Sequence, residues 1–389
     1  MTELTTKMKE LNPAMEIDVF TAHSSREEFE MGNARFEKFK GISIHRVPNL
    51  GKYHGTLFQR LLFSFTFFLK AFLFTFKKNR QYDAVLITTN PPFLGIIVLF
   101  FKFLFKKPYV IICYDVYPQI LVKLGVLKAN GIIYNFWKKL NVRIYNSAEK
   151  IISIGVDMTS IIVNEMHIKD LSKIELIHNW ADKNTVAPVP ENSNEFIKRY
   201  CLENKKILLY SGTMGTTHNI EPILLAADEM KYQNDIVFIF IGGGAKKKIV
   251  EEFIKSKSLN NILLLPFQPI EILSHTLSAA SLSFVCLEDS FTGLSVPSKA
   301  YGIMAAGVPI IGLLRSDSEI ANTIENYNCG VVWNNDSKLI LSDLLLNVLS
   351  DETRLKVMRE NALKAFVNNY DIEVSANKYV KLLDKVVTN

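Results

Sequence analysis

The sequence predicts an α/β protein built from two doubly wound domains, and three observations carry that expectation. Short apolar runs alternate with helical patterns along the chain, the signature of mostly parallel sheets covered by helices. The alternation is interrupted by ADKNTVAPVPENSN (181–194), whose Pro, Asn and charge read as a linker. At 389 residues the chain is too long for one compact core, and 48% apolar against 22% charged residues supplies enough material for two. The expected domains are 1–185, 186–365, and a helical tail, 366–389, packing back toward the first domain.

The elements follow in order. Thr2 to Leu11 has a helical pattern and leads straight into the strand EIDVFTAH (16–23). A doubly wound domain ordinarily opens with a strand and a glycine-bearing turn, so the expectation is a first domain whose opening strand is missing. The strands GISIHRV (41–47), YDAVLITTN (82–90), PYVIICYDV (108–116) and KIISIG (150–155) come next. Helical stretches near 57–78, 93–106, 131–147 and 156–166 separate the later ones. Beyond the linker a second series runs KILLYSG (206–212), DIVFIFIGGG (235–244), NILLLPF (261–267), LSFVCL (282–287), PIIGLL (309–314) and GVVW (330–333). The tail carries apolar positions at Leu355, Met358, Ala362, Ala365 and Phe366. Two such sheets place a cleft between their facing strand ends, where α/β domains bind ligands.

The net charge of +6 is unevenly distributed: residues 1–180 hold 24 basic and 15 acidic residues, and 50–150 hold 15 basic and 3 acidic. Half of the 26 Phe fall between 50 and 110. Basic charge interleaved with Phe and Leu suits an anionic membrane surface. Nucleic acid fits less well, because the aromatics lie in long apolar runs rather than in a polar, Arg-rich groove. LLFSFTFFLKAFLFTF (61–76) contains Lys70, and FLGIIVLFFKFLF (93–105) contains Lys102, so neither gives the roughly 18–20 nearly uncharged residues of a spanning helix. Peripheral attachment at the inner face of the plasma membrane and two buried core helices are both open. Four scattered Cys without a C-x-x-C pair, and no secretory-type start, suit a cytoplasmic protein.

Three motifs could carry chemistry. In LLYSGTMGTTHNIEPILLAA (208–227) a strand ends in a small-residue turn before a helix with Glu221 and Pro222 in its first turn. Such a turn is either a diphosphate cradle of backbone N–H groups or an ordinary strand-to-helix connection. IFIGGGAKKK (239–248) lacks the spacing of a Walker A loop, so its lysines read as a solvated helix start and its glycines as a place of close approach. In EDSFTGLSVPSKAYGIMAAGVPII (288–311), Ser295 near an N-cap, Pro297 in a first turn, and Ser298-Lys299 place a hydroxyl, free N–H groups and a cation at a helix start.

The order S-G-T-M-G-x-x-H-N, I-G-G-G, P-F-Q-P, V-P-S-K-x-Y-G-I-M-A-A-G-V-P, with Y-D-V-Y-P (114–118) and I-H-N-W-A-D (177–182), resembles family-4 retaining glycosyltransferases of the GT-B fold. Within them it is most similar to the bacterial branch that builds capsule, O-antigen or exopolysaccharide, including colanic-acid-type enzymes. The resemblance implies that Gly212, Thr213, Met214 and Gly215 face a nucleotide-sugar's diphosphate and that Gly242 and Gly243 line the nucleotide pocket. It implies that Phe267 and Gln268 hold the base, that Thr292, Gly293, Leu294 and Ser295 lie along the donor sugar and phosphates, and that Ser298 and Lys299 contact phosphate or ribose. Relatives carry two glutamates at positions occupied here by Leu294 and Gly302, and an Arg and a Lys where this chain has His218 and Asn219. Lys299 is then the leading cation for the departing diphosphate.

Asp115, after the strand VIICY, either orients the acceptor hydroxyl or forms the turn before Tyr117-Pro118. His178 and Asn179 lie near the donor sugar in the family, and an interdomain structural role is the alternative. The implied reaction is retaining transfer from a nucleotide-diphosphate-sugar, UDP in preference to GDP, to a polyprenyl-diphosphate-linked saccharide. It needs no metal and no cofactor, and rests on positioning and stabilisation of diphosphate charge. A UDP-N-acetylglucosamine 2-epimerase-like enzyme and a non-catalytic partner in a membrane glycan complex are the alternatives.

Overall fold

The computed structural model describes residues 1–22, 35–48, 56–334, 337 and 339–388. The chain divides into two compact units. Unit 1 comprises Met1–Ile154, Thr159–Ile177 and Ile372–Asn389, and unit 2 comprises Gly155–Met158 and His178–Asp371. The sequence places boundaries at 185/186 and 365/366, whereas the structure has them at 177/178 and 371/372. The linker-like segment therefore lies wholly in unit 2, where Ser274 and Ser278 hydroxyls donate to and accept from its backbone at Thr185, Ala187 and Val189.

Unit 1 contains two sheets. β1 (Asp18–Ala22), β2 (Phe36–Phe39) and β3 (Ile42–Val47) form one in the order β1-β3-β2, with β1 parallel and β2 antiparallel to β3. β4 (Val85–Thr88), β5 (Tyr109–Cys113), β6 (Lys150–Ser153) and β7 (Ile174–Leu176) form a parallel sheet in that order. β1 and β4 are edge strands of separate sheets, where the sequence predicts a single doubly wound one. β2, β7 and the short helix Gln119–Lys123 are not foreseen by the sequence, since three to five residues give no readable period. β5 is an unbroken apolar run because it is buried on both faces.

The helix Thr2–Leu11 buries Leu4 and Met8 and packs along Ile372–Thr388, which buries Ile372, Ala376, Tyr379, Leu382 and Val386. The helix Leu57–Lys77 opens with a capping box in which the Thr56 hydroxyl and the Gln59 side chain each satisfy the other's backbone N–H. It packs on Leu94–Phe105, which in turn meets Ile132–Ser147. Among the described residues no helix is long and apolar enough to cross a membrane.

Unit 2 holds a six-stranded parallel sheet. Its strands are β8 (Lys206–Ser211), β9 (Ile236–Ile241), β10 (Ile262–Leu265), β11 (Leu282–Cys286), β12 (Ile310–Leu313) and β13 (Gly330–Trp333). They run in the order β10-β9-β8-β11-β12-β13, all parallel. Leu208, Tyr210, Phe238, Phe240 and Phe284 form the centre of its core, with Ile223, Leu224 and Ala227 from the helix Glu221–Glu229 above them. The order reverses between β8 and β11. Such a reversal leaves a crevice outside the strands' carboxyl ends, because the two connections leave in opposite directions.

Candidate functional site

The loops at that reversal are those singled out in the sequence. Gly212–Gly215 follows β8, Gly242–Gly244 follows β9, Phe267-Gln268 follows β10, and 288–298 follows β11. All lie in unit 2, so the fold brings the whole expected donor set to one end of one sheet. Asp115 lies in unit 1, two residues beyond β5, where the Thr89 hydroxyl accepts from its backbone N–H at 3.2 Å.

The glycine loops are locked together. Gly212 N–H donates to the Ile241 carbonyl at 2.9 Å, Met214 N–H to Gly243 at 2.7 Å, and Lys246 N–H to Met214 at 2.9 Å. Gly242 has φ +134°, and a Cβ there would stand 2.1 Å from the Gly212 carbonyl oxygen; at Gly244, φ +132°, it would stand 2.6 Å from that of Met214. Only glycine allows backbones this close. These bonds also alter the cradle that the sequence suggests. The N–H groups of Gly212 and Met214 point into the protein, and that of Gly215 donates to His218 Nδ1 at 3.1 Å. Of the four loop residues, Thr213 alone has a backbone N–H with no hydrogen bond among the described residues. The Met214 side chain is fully buried.

Positive charge is supplied by Lys299. Its Nζ is buried without a hydrogen-bond partner, 4.0 Å from the centre of the Tyr210 ring. Nζ is also 3.4 Å from where a Gly212 Cβ would stand, beneath the glycine loop. Burial pulls its pKa down to about 8. An ammonium held in this way gains a charge-assisted partner only when an anion enters. The helix it opens is shorter than the sequence suggests, Lys299–Ala305, with Ser298 as the cap and without a side-chain capping bond. Pro297 precedes the cap instead of lying in the first turn. Ser295 is not a cap: it pairs with Thr292 across the turn that holds Gly293. Leu294 is buried.

Phe267 is half exposed, its ring lying against Gly242 and Gly243, 3.2 and 3.6 Å from where their Cβ atoms would be. One face is thus spent on the glycines and the rest is available for stacking. Gln268 Nε2 donates to the Pro266 carbonyl at 2.9 Å.

Two polar clusters are not foreseen. Lys247 and Lys248 are surface residues of a helix start, as expected, but Lys246 is not. Its Nζ donates to the His218 carbonyl at 2.7 Å and lies 2.9 Å from Glu221 and 3.1 Å from Glu288, clamping three loops. The second cluster centres on Glu319. His178 Nε2 is 2.9 Å from Glu319 Oε1, and Glu319 Oε2 accepts from Val156 N–H at 2.8 Å. Although burial raises the Glu319 pKa, these partners hold it below the usual carboxylate value. Asp157, raised by burial, accepts the backbone N–H of Met158 at 2.8 Å. Partners 163 positions apart leave no local signal, and the first lysine of A-K-K-K cannot be told from the two that follow it by spacing.

Residues 192–365 match the family described as Glycosyl transferases group 1. The chain is 32% identical over 268 residues to a probable glycosyltransferase, WbjE, of Pseudomonas aeruginosa, covering 68% of this chain and 66% of that protein. It is 25% identical over 177 residues to a putative colanic acid biosynthesis glycosyl transferase, WcaI, of Escherichia coli K12, covering 43% of each. The matches thus span just under two thirds of the first relative and less than half of the second. Among solved structures, Anabaena HepE in complex with UDP and glucose superposes with a TM-score of 0.71 at 13% identity, over 98% of this chain and 95% of that one. The fold is GT-B.

Proposed function

Residues 192–365 belong to the group 1 glycosyl transferases within a chain of GT-B fold, and on that premise we propose that the protein is a retaining glycosyltransferase of cell-surface polysaccharide biosynthesis. The donor is a nucleotide-diphosphate-sugar, UDP in preference to GDP, and the acceptor a polyprenyl-diphosphate-linked saccharide. The observation that carries this reading is the unpartnered buried Lys299 ammonium beneath the glycine loop, at the strand-order reversal of unit 2. HepE, of the same fold, is known in complex with UDP and glucose, and WcaI is named for colanic acid biosynthesis.

In this mechanism Phe267 stacks on the base, Lys299 and the Thr213 N–H take the diphosphate, and the turn Thr292–Ser295 lies along the sugar. Water exclusion around Lys299 strengthens its field on the phosphate oxygens that gain charge as the glycosidic bond breaks. The attacking hydroxyl approaches on the face the leaving diphosphate vacates, and a phosphate oxygen takes its proton, so the anomeric configuration is retained. Asp115 acts on the acceptor. Asp115→Asn is expected to leave UDP affinity unchanged and to lower transfer at saturating donor about tenfold or more, the scale of a lost general-base or orienting group. Isothermal calorimetry with UDP and transfer assays on lipid-linked acceptors check this; lost donor affinity with normal turnover per bound donor contradicts it.

Attachment to an anionic membrane belongs to the same proposal. Unit 1 exposes Phe58, Phe65, Leu69 and Leu73 on one helix, Phe100, Phe103 and Leu104 on the next, and Ile132, Ile133 and Phe136 on a third. These helices pack side by side. Ile132 is 91% exposed, with nothing among the described residues covering it. Lys77 and Lys106 are exposed beside them. Lys78 and Lys102 do not join this surface, because they bond to Asp18 at 2.9 Å and to the Ser147 carbonyl at 2.8 Å. Each basic residue near anionic lipid contributes about 1 kcal/mol, and each inserted Phe contributes about 2 kcal/mol through burial. Lys77→Gln and Lys106→Gln combined with Phe100→Ser and Phe103→Ser should release the protein from anionic vesicles while UDP binding persists. Co-sedimentation at two salt concentrations reads this, and unchanged sedimentation of the fourfold variant removes these helices from the membrane contact.

A further inference from the structure

His218 lies three residues beyond Gly215, and its geometry is that of an acceptor. Its Nδ1 takes the Gly215 N–H at 3.1 Å, while its own backbone N–H donates to the Gly215 carbonyl at 3.1 Å. A nitrogen that accepts a hydrogen bond carries no proton, so the ring is neutral with its proton on Nε2. The Tyr210 hydroxyl donates to the Thr213 carbonyl at 2.7 Å, two residues before Gly215. His218 thus holds the loop at Gly215. Its charged neighbours are Lys299 beneath the loop and Lys246, which grips the His218 carbonyl and is itself paired with Glu221 and Glu288. Burial and the two ammonium groups together oppose a third positive charge.

We propose that His218 is a positioning residue, a neutral strut that holds the glycine loop in its donor-receiving conformation and contributes no charge to the diphosphate. The proposal rests on the donor-site reading above and deepens it. The cation beneath the loop is Lys299, from another element, and His218 braces the loop through its side chain. With the strut removed, Gly215 N–H loses its partner. The nearby Thr213 N–H, which alone among the backbone N–H groups of Gly212–Gly215 has no hydrogen bond among the described residues, is then no longer aimed.

The test compares three substitutions in the full-length chain, with UDP calorimetry, donor KM and kcat as readouts. His218→Asn can place its Oδ1 where Nδ1 stands and keep the bond to Gly215. His218→Ala cannot, and His218→Lys adds a cation while removing the acceptor. The strut predicts that His218→Ala and His218→Lys both weaken UDP binding roughly fivefold to tenfold, the scale of one lost buried hydrogen bond. Donor KM should rise with kcat little changed, and His218→Asn should recover most of the loss. Nitrogen-15 spectra of the wild-type ring should give the neutral Nε2–H tautomer at pH 7. If His218→Lys binds UDP as tightly as wild type while His218→Asn is as weak as His218→Ala, the residue acts by charge and the proposal is overturned. Wild-type protein that binds neither UDP nor GDP overturns the donor-site reading, and this inference with it.

Discussion

Lys299→Met should make the protein more stable and nearly unable to hold its donor. Methionine fills the same slot over Tyr210 without an ammonium to desolvate. The wild-type side chain has its pKa at about 8 in the folded chain, against an ordinary 10.5. Below pH 8 both folded and unfolded chains carry the proton, and the folded one bears the full cost of the buried charge. Between about pH 8 and 10.5 the unfolded chain binds more protons, so this residue's contribution makes stability rise with pH. The gap corresponds to a cost on the order of 3 kcal/mol. Urea unfolding at pH 7 should therefore find Lys299→Met more stable than wild type, with the advantage vanishing above pH 10. UDP binding should move the other way, weaker by about 2 kcal/mol, or about 30-fold, because a charge-assisted phosphate bond is lost. Wild-type affinity should also fall as pH rises through 8, as the neutral amine must take up a proton to meet the diphosphate, and the variant should lose this slope. A variant with unchanged stability and unchanged affinity would falsify both the burial and the role.

Gly242→Ala should be severely damaging to the donor loops of unit 2. The added carbon would stand 2.1 Å from the Gly212 carbonyl oxygen, at φ +134°, so two backbones must separate. The bonds that join these loops, from Gly212 to Ile241 and from Gly242 to Leu265, would be lost or strained. A destabilisation of about 3 kcal/mol or more is expected, with UDP binding abolished, because unrelieved backbone overlap belongs to the small set of severe effects. Gly243→Ala is the control. Its Cβ meets only the Phe267 ring, at 3.6 Å, so the fold should survive while the base-stacking surface shifts. Equal stabilities for the two variants would show that the loop gives way easily and does not depend on close approach at residue 242.

The sequence by itself determined the second sheet almost completely. Runs such as IVFIFI and LSFVC are buried on both faces in a parallel sheet, so each is a continuous apolar signal bounded by glycine or acid. It also determined where chemistry could sit, since Gly212, Gly242 and Lys299 belong to motifs of small residues after strands. The short elements were not legible: Phe36–Phe39 is a partly exposed antiparallel edge, and Ile174–Leu176 is three residues long. Lys102 shows the same limit on the surface, since in sequence it is one of several lysines after a Phe run. Only the fold ties it to Ser147, 45 positions away. The division of labour within the site was decided by tertiary structure alone. Gly212, Met214 and Gly215 lie within four residues, and their pattern suggests an open cradle of N–H groups. Pairing of those groups with Gly243, Ile241 and the His218 ring turns them inward. Lys299, eighty positions away, then carries the free charge, because β11 lies next to β8 and brings it under the loop. A hydrogen bond has one partner at a time, and which partner it takes depends on neighbours in space.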